Sequence, residues 1–321
     1  MTFQKSFVRR RRFGVETQDR EVRILKHASL VLLVGAVTFG LSSCGGNSKG
    51  PTTPPTVSLT AGNWLLEVDS VIKTATQQGL SGIKLGGELS SSGATVVPTG
   101  IQQYPCFPLQ KPTASPLVFS ATVTGNDAVF TWPGNNQTFT ITAGLNPNNT
   151  FVGTYAESGN GTGLCPADNG TVYGVLVPSI NGNWSGTLPG QAGTSNTPTV
   201  QPTSVSATFS QATDLSTDVN NNATIGTFPL DGTVTLTNPC LTAGALSLTI
   251  DDTVSYIVGD SINVATMPAA DGTIFSLTQV VLIDPTTATS MTVGTYKVSG
   301  GLCNFTGSTE AGGTQITLGK S

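Results

Sequence analysis

The 321-residue chain reads as all-β: two tandem antiparallel meander domains, each a closed barrel or a β-sandwich. Three observations predict this. Short runs of alternating apolar and polar residues recur, separated by clusters of Gly, Pro, Asn and Asp. A set of four motifs occurs twice in the same order. Charged residues are 10% of the chain, against about 25% in an ordinary soluble domain. Thr, Ser, Val, Gly and Asn take their place, a composition of strands and turns rather than helices.

The repeat sets the domain boundaries. Ala61-Gly62-Asn63-Trp64 is echoed by Asn181-Gly182-Asn183-Trp184, and Val152-Gly153-Thr154-Tyr155 by Val293-Gly294-Thr295-Tyr296. Each Val-Gly-Thr-Tyr is followed by Gly-Leu-Cys, at Gly163-Leu164-Cys165 and Gly301-Leu302-Cys303, and each copy has one earlier cysteine, Cys106 or Cys240. Four matches in register imply two homologous domains, residues 61–178 and 179–321, each of ordinary single-domain size.

In the first copy the alternation predicts strands at Asn63–Asp69, Gly82–Leu89, Ala94–Val97, Leu117–Thr124, Ala128–Trp132, Gln137–Ala143, Thr150–Ala156 and Gly170–Val177. Turn chemistry sits between them at Gly125-Asn126-Asp127, Pro133–Asn136 and Asn146–Asn149, which argues for successive hairpins. Val71–Gln78 predicts at most a turn or two of helix. In the second copy the expected strands are Trp184–Leu188, Ser204–Ser210, Thr224–Phe228, Gly232–Leu236, Ala245–Ile250, Val254–Val258, Ile274–Ile283, Thr292–Val298 and Thr314–Leu318, with Gln211–Asn222 as a polar loop. About eight strands of this length close a barrel or stack as a sandwich.

Ahead of the repeat the chain changes character. Arg9–Arg12, Arg20, Arg23 and Lys26 make a basic start, in which Glu16, Asp19 and Glu21 also fall. Ala28–Leu41 is uncharged and mostly apolar, the length of a secretory h-region and short for a bilayer span. It ends in Leu41-Ser42-Ser43-Cys44, which resembles the lipobox of bacterial lipoproteins. The resemblance implies a signal peptide over residues 1–43, cleavage before Cys44 and lipid on that cysteine, with residues 44–60 a Gly/Pro/Thr-rich tether. Gly45 stands where an inner-membrane retention signal carries Asp, so the expected destination is the outer membrane. Arg10-Arg11-Arg12-Phe13 also resembles a twin-arginine signal, although the apolar run starts well after it.

The composition excludes several function classes. After Cys44 there are six lysines, no arginine and 15 acids, a net charge of −9. Such a surface is a poor partner for nucleic acid, whose binding rests on neutralising phosphates. The one histidine, His27, precedes the cleavage point, so the mature chain has neither a Ser-His-Asp or Cys-His arrangement nor a histidine-ligated zinc. No catalytic, cofactor-binding or metal-binding residues are expected. Asp251-Asp252 is the densest acid pair, but neighbours on a strand face opposite sides, and a hairpin turn between Ala245–Ile250 and Val254–Val258 is expected there. Asp271-Gly272-Thr273 lacks an EF-hand pattern and is also expected as a turn.

The four cysteines after Cys44 divide two per copy. In an oxidising envelope compartment an even count predicts disulfides, and the repeat selects Cys106–Cys165 and Cys240–Cys303 among the three pairings that four cysteines allow.

Trp64 and Trp184, each following Gly-x near the start of a first strand, resemble the Gly-x-Trp of lipocalin-like proteins. That resemblance implies a tryptophan closing the base of each barrel, although the lipocalins' closing arginine has no counterpart here. The whole layout also resembles acidobacterial-type cell-envelope lipoproteins. The expected role is non-catalytic binding or scaffolding at the membrane, with a small apolar ligand or an envelope polymer as partner. A carboxylate-dependent polysaccharide hydrolase and a structural or adhesive surface protein are the alternatives.

Overall fold

The computed structural model describes residues 57–71, 82–99, 116–134, 137–159, 167–191, 199–216, 226–241, 244–301, 303–309 and 315–321. The lipobox with Cys44, residues 72–78 of the expected helical stretch and both Cys106 and Cys165 lie outside these residues.

Eight strands close the first barrel: β1 (Gly62–Ser70), β2 (Ile83–Ser90), β3 (Gly93–Pro98), β4 (Leu117–Thr124), β5 (Asp127–Gly134), β6 (Gln137–Asn146), β7 (Thr150–Glu157) and β8 (Asp168–Leu176). Each pairs antiparallel with the next, and β8 closes on β1 from Trp64↔Leu176 to Ser70↔Gly170. All eight strands expected in this copy are present, and the closing pair decides for a barrel over a sandwich. The two ends of the barrel differ. At one end lie three tight turns: residues 91–92, 125–126 and 147–149. Gly125 has φ +61° at the first position of its two-residue turn, and Asn149 takes φ +56° at the end of a three-residue one. At the other end the strands border the remaining four connections, 71–82, 99–116, 135–136 and 158–167, three of them long in sequence. These are called the turn end and the loop end.

Ten strands build the second barrel: β9 (Gly182–Leu188), β10 (Thr203–Gln211), β11 (Phe228–Thr237), β12 (Ala245–Thr249), β13 (Tyr256–Val258), β14 (Ser261–Ala265), β15 (Ile274–Leu282), β16 (Ser290–Ser299), β17 (Phe305–Ser308) and β18 (Ile316–Lys320). They fill eight positions, because two positions are each shared by two short strands. β12 and β13 both pair with β11, and β17 and β18 both pair with β16. The ring closes through β18–β9, β9–β10 and β10–β11.

Three sequence expectations change here. Asp251-Asp252 is a turn, but not a hairpin turn: β12 and β13 lie end to end along β11 instead of pairing with each other. Of the strand expected at Thr224–Phe228 only Phe228 is strand: β11 starts there and runs through Pro229 and Gly232 to take in the strand expected at Gly232–Leu236, while Gly226 and Thr227 precede it and residues 224–225 lie outside the described residues. Two strands, β14 and β17, fall where none was expected.

The repeated motifs occupy equivalent places. Trp64 and Trp184 sit on the first strand of their barrels, and each indole N–H donates to the carbonyl four residues earlier, Thr60 at 2.9 Å and Ile180 at 2.8 Å. Tyr155 and Tyr296 sit on the strand at the seventh position, opposite Gly170 and Gly307. A Cβ at either glycine would run into the tyrosine ring, so the pairing of ring on glycine needs both residues.

Aromatic side chains fill the first lumen. Trp64 stacks on Phe151 at 5.6 Å, Phe130 on Phe151 at 6.4 Å and Phe139 on Tyr155 at 5.2 Å. In the second barrel Trp184 meets Phe209 at 6.3 Å and Tyr296 meets Phe305 at 6.2 Å. Cys240 and Cys303 form a disulfide with Cα atoms 5.6 Å apart. It ties the β11–β12 connection to the β16–β17 connection, both at the loop end. Cys106 and Cys165 fall in the two connections of the first barrel that hold the same ring positions.

A clasp joins the barrels. The outer faces of β1 and β2 present Asn63, Leu65, Lys84 and Gly86 to the two-residue β13–β14 turn, Gly259-Asp260. The Asn63 side chain donates to Gly259 O at 3.0 Å and accepts from Gly259 N–H at 2.7 Å. Lys84 Nζ lies 2.7 Å from the buried carboxylate of Asp260 and 3.4 Å from Glu67. Burial pulls the Lys84 pKa down, but the hydrogen bond and charge of Asp260, helped by Glu67, outweigh it and leave the group raised. With Lys84 partly exposed, the pair contributes on the order of 1 kcal/mol. Leu65, Val175, Val177 and Ile180 join the apolar cluster of the second barrel. By strand register, Leu65 and Gly86 correspond to Ser185 and Ser206, both exposed on the second barrel. The clasp face is thus a specialisation of the first barrel rather than a requirement of its architecture.

Candidate functional site

Strand alternation places every second side chain inside a barrel. In the first barrel the inward row carries apolar groups up to Tyr155 and then turns polar at the loop end. Ser70 ends β1, Gln137 begins β6, Glu157 ends β7 and Asp168 begins β8. All four are buried, Glu157 at 5% and Asp168 at 4% exposure. Glu157 and Asp168 are direct cross-strand partners, so their Cβ atoms lie about 4.5–5.5 Å apart.

Donors hold this layer in place. Ser70 Oγ donates to Asp168 Oδ1 and Tyr155 Oη to Asp168 Oδ2, both at 2.7 Å. The Asn169 N–H donates to Asp168 Oδ1 at 2.8 Å. Gln137 Nε2 donates to Glu157 Oε1 at 2.9 Å. Burial, aided by the neighbouring Asp168 charge, pushes the Glu157 pKa up to about 7. Burial also raises the Tyr155 hydroxyl. A hydrogen bond with Ser70 pulls it back, while the Asp168 bond and the acidic charges add to the rise. Glu157 is therefore able to hold a proton near neutral pH, beside a carboxyl that accepts three hydrogen bonds. Half-buried Trp132 on β5 faces inward at the same end, in register with Phe139.

The second barrel is an internal control. Phe139↔Glu157 and Glu157↔Asp168 correspond by register to Phe275↔Val298 and Val298↔Phe305. Glu157 is thus replaced by Val298, Asp168 by Phe305, and Gln137, two residues before its Phe, by Thr273. Six residues after each tryptophan, Ser70 is replaced by Gly190. Only the tyrosine persists, and Tyr296 donates to Pro189 O instead. The same architecture thus closes its loop end with Val298 and Phe305 in place of the two acids, and two adjacent buried carboxyls are not something it needs. Removing carboxyls from water is costly, and like charges in contact add to the cost.

Neither acid of this pair was expected as a site. The acids that stood out in sequence do not converge. Asp251 caps its own turn, accepting from Thr253 N at 3.1 Å and Thr253 Oγ1 at 2.6 Å. Asp271 does the same with Thr273 N at 2.9 Å. Among the described residues no group of three or more His, Cys, Asp or Glu side chains is placed to hold a metal ion.

No family model matches the chain, and no curated protein matches it.

Proposed function

We propose that the chain is a lipid-anchored protein of the cell envelope with a non-catalytic binding role, and that the loop end of its first barrel is the binding end. The polar layer of Ser70, Gln137, Glu157 and Asp168 carries the binding half, because the second barrel dispenses with it. The aromatic filling of the first lumen favours an envelope polymer held at the loops over an apolar molecule inside. Hydroxyl, amide and carboxyl groups beside Trp132 suit a hydroxylated polymer, which offers both hydrogen bonds and C–H faces for an aromatic ring. In this division of labour the second barrel, with its disulfide and apolar loop end, acts as scaffold.

The anchor half rests on Leu41-Ser42-Ser43-Cys44. The thiol of Cys44 is the acyl acceptor, and several acyl chains hold a protein firmly, each buried methylene contributing about 0.8 kcal/mol. Cys44→Ala is therefore expected to leave the chain uncleaved or soluble and without labelled fatty acid. Unchanged mass and membrane partition in that variant would remove the anchor from the account.

One observation favours a second reading, a polysaccharide hydrolase. A buried carboxyl pushed up to about 7 beside a second carboxyl fixed by three hydrogen bonds is a two-carboxyl arrangement of the kind glycoside cleavage uses. Release of reducing ends from envelope polysaccharide, lost on Glu157→Gln, would move this reading ahead of binding.

A further inference from the structure

The segment leading into β1 is fixed across the turn end of the first barrel. The Val57 N–H donates to Asn126 Oδ1 at 2.8 Å in the β4–β5 turn. Thr60 Oγ1 donates to Asn149 Oδ1 at 2.9 Å in the β6–β7 turn. The Thr60 carbonyl accepts from the Trp64 indole, and Leu59 is buried with the apolar residues of the lumen. The chain therefore enters the barrel at the end opposite Ser70, Gln137, Glu157 and Asp168.

We propose that the first barrel stands on the membrane by its turn end and holds its loop end away from the lipid, so that the partner of the polar layer comes from the side facing away from the bilayer. This deepens the binding reading and rests on lipid at Cys44. Val57 comes thirteen positions after Cys44, a reach of at most about 45 Å. Tilted strands, all of eight to ten residues but the six-residue β3, make the barrel roughly 20–25 Å tall. With the turn end down, the segment after Cys44 has no part of the barrel to span. With the loop end down, it must run back along the whole barrel, which takes up about half its greatest reach and most of its conformations. The partner is thus a hydroxylated polymer on the side facing away from the bilayer, and not a lipid of the anchoring leaflet.

The test places one short epitope in the full lipidated chain. One version carries it at the turn end, between Ser91 and Ser92, and the other at the loop end, directly after Gly159. Each is made with the native tether and with residues 45–53 deleted, and reconstituted on phosphatidylcholine vesicles. A turn-end insertion between Gly125 and Asn126 is the second variant, used if the first does not fold. Flotation with the vesicles is measured first, then Fab binding. The deletion leaves Val57 within about 15 Å of Cys44. Fab binding to the turn-end epitope is expected to fall at least tenfold, and binding to the loop-end epitope to stay within twofold. Flotation with the loss at the loop end, at both ends or at neither overturns the orientation alone. Failure to float overturns the anchor reading and the proposal with it.

Discussion

Gly86→Ala is expected to separate the two barrels. A Cβ on Gly86 would lie 2.5 Å from Gly259 N, 2.6 Å from Thr99 Cγ2 and 2.8 Å from Gly259 Cα. Two of these three neighbours are backbone atoms, so no side-chain rotation relieves them. Gly259 itself holds φ +54° at the first position of its turn and has little freedom to retreat. Relief requires the turn to lift from β2. Lifting it gives up both Asn63 hydrogen bonds, the Lys84–Asp260 pair and part of the burial of Leu65. The expected cost is about 3 kcal/mol. Denaturant unfolding followed by tryptophan fluorescence reads it: one transition for the wild-type chain, whose barrels share an apolar cluster, and two for the variant. A single transition with an unmoved midpoint would show that the clasp contributes nothing.

Glu157→Gln is expected to stabilise the protein at alkaline pH and to remove a pH dependence. The Glu157 carboxyl goes from an ordinary 4.5 to about 7 in the fold. Between these values the folded chain holds a proton that the unfolded chain has lost, so stability falls as pH rises through that window. The full penalty, about 3 kcal/mol, is present above the folded value and absent below 4.5. Glutamine stays neutral, keeps an oxygen for Gln137 and offers an N–H to Asp168. At pH 8 the variant should be about 2–3 kcal/mol more stable than wild type, and at pH 4.5 the two should agree within about 1 kcal/mol. Equal pH slopes for both proteins would contradict the burial of a protonated Glu157.

Much of the fold is legible in the sequence because it is written in local patterns. Period-two alternation and Gly/Asn/Pro turns mark all eight strands of the first barrel. The weaker strands of the second lack those marks. Phe305–Ser308 carries one large apolar residue, and Ser261–Ala265 is short and closely flanked by turn residues. Pro229 and Asp231-Gly232 look like breaks, yet β11 runs through them: Pro229 sits near its start, and the missing side chain of Gly232 makes room for Thr208 O. Closure into a barrel depends on β8 finding β1 across the whole domain, and no local pattern encodes that.

The polar layer was legible in part. Glu157 lies two residues after Tyr155, and Asp168 two before Gly170, so both fall on the inward row. Lining up the copies puts Val298 in the place of Glu157, which marks a charge at a core position. A search for acids adjacent in sequence instead finds Asp251-Asp252, which a strand would point to opposite faces. That the two acids meet follows only from the β7–β8 register.

The central claim is that this acid layer is kept for binding and not for folding. The most direct test replaces it with the residues the second barrel uses: Ser70→Gly, Gln137→Thr, Glu157→Val and Asp168→Phe in one chain. The measurement is the unfolding free energy at pH 7. Exchanging buried charged groups for packed apolar ones is often neutral or stabilising by 1–4 kcal/mol. A folded variant at least as stable as wild type, to within about 1 kcal/mol, is expected. A variant that loses several kcal/mol or fails to fold would show that the layer holds the barrel together, and would contradict the claim.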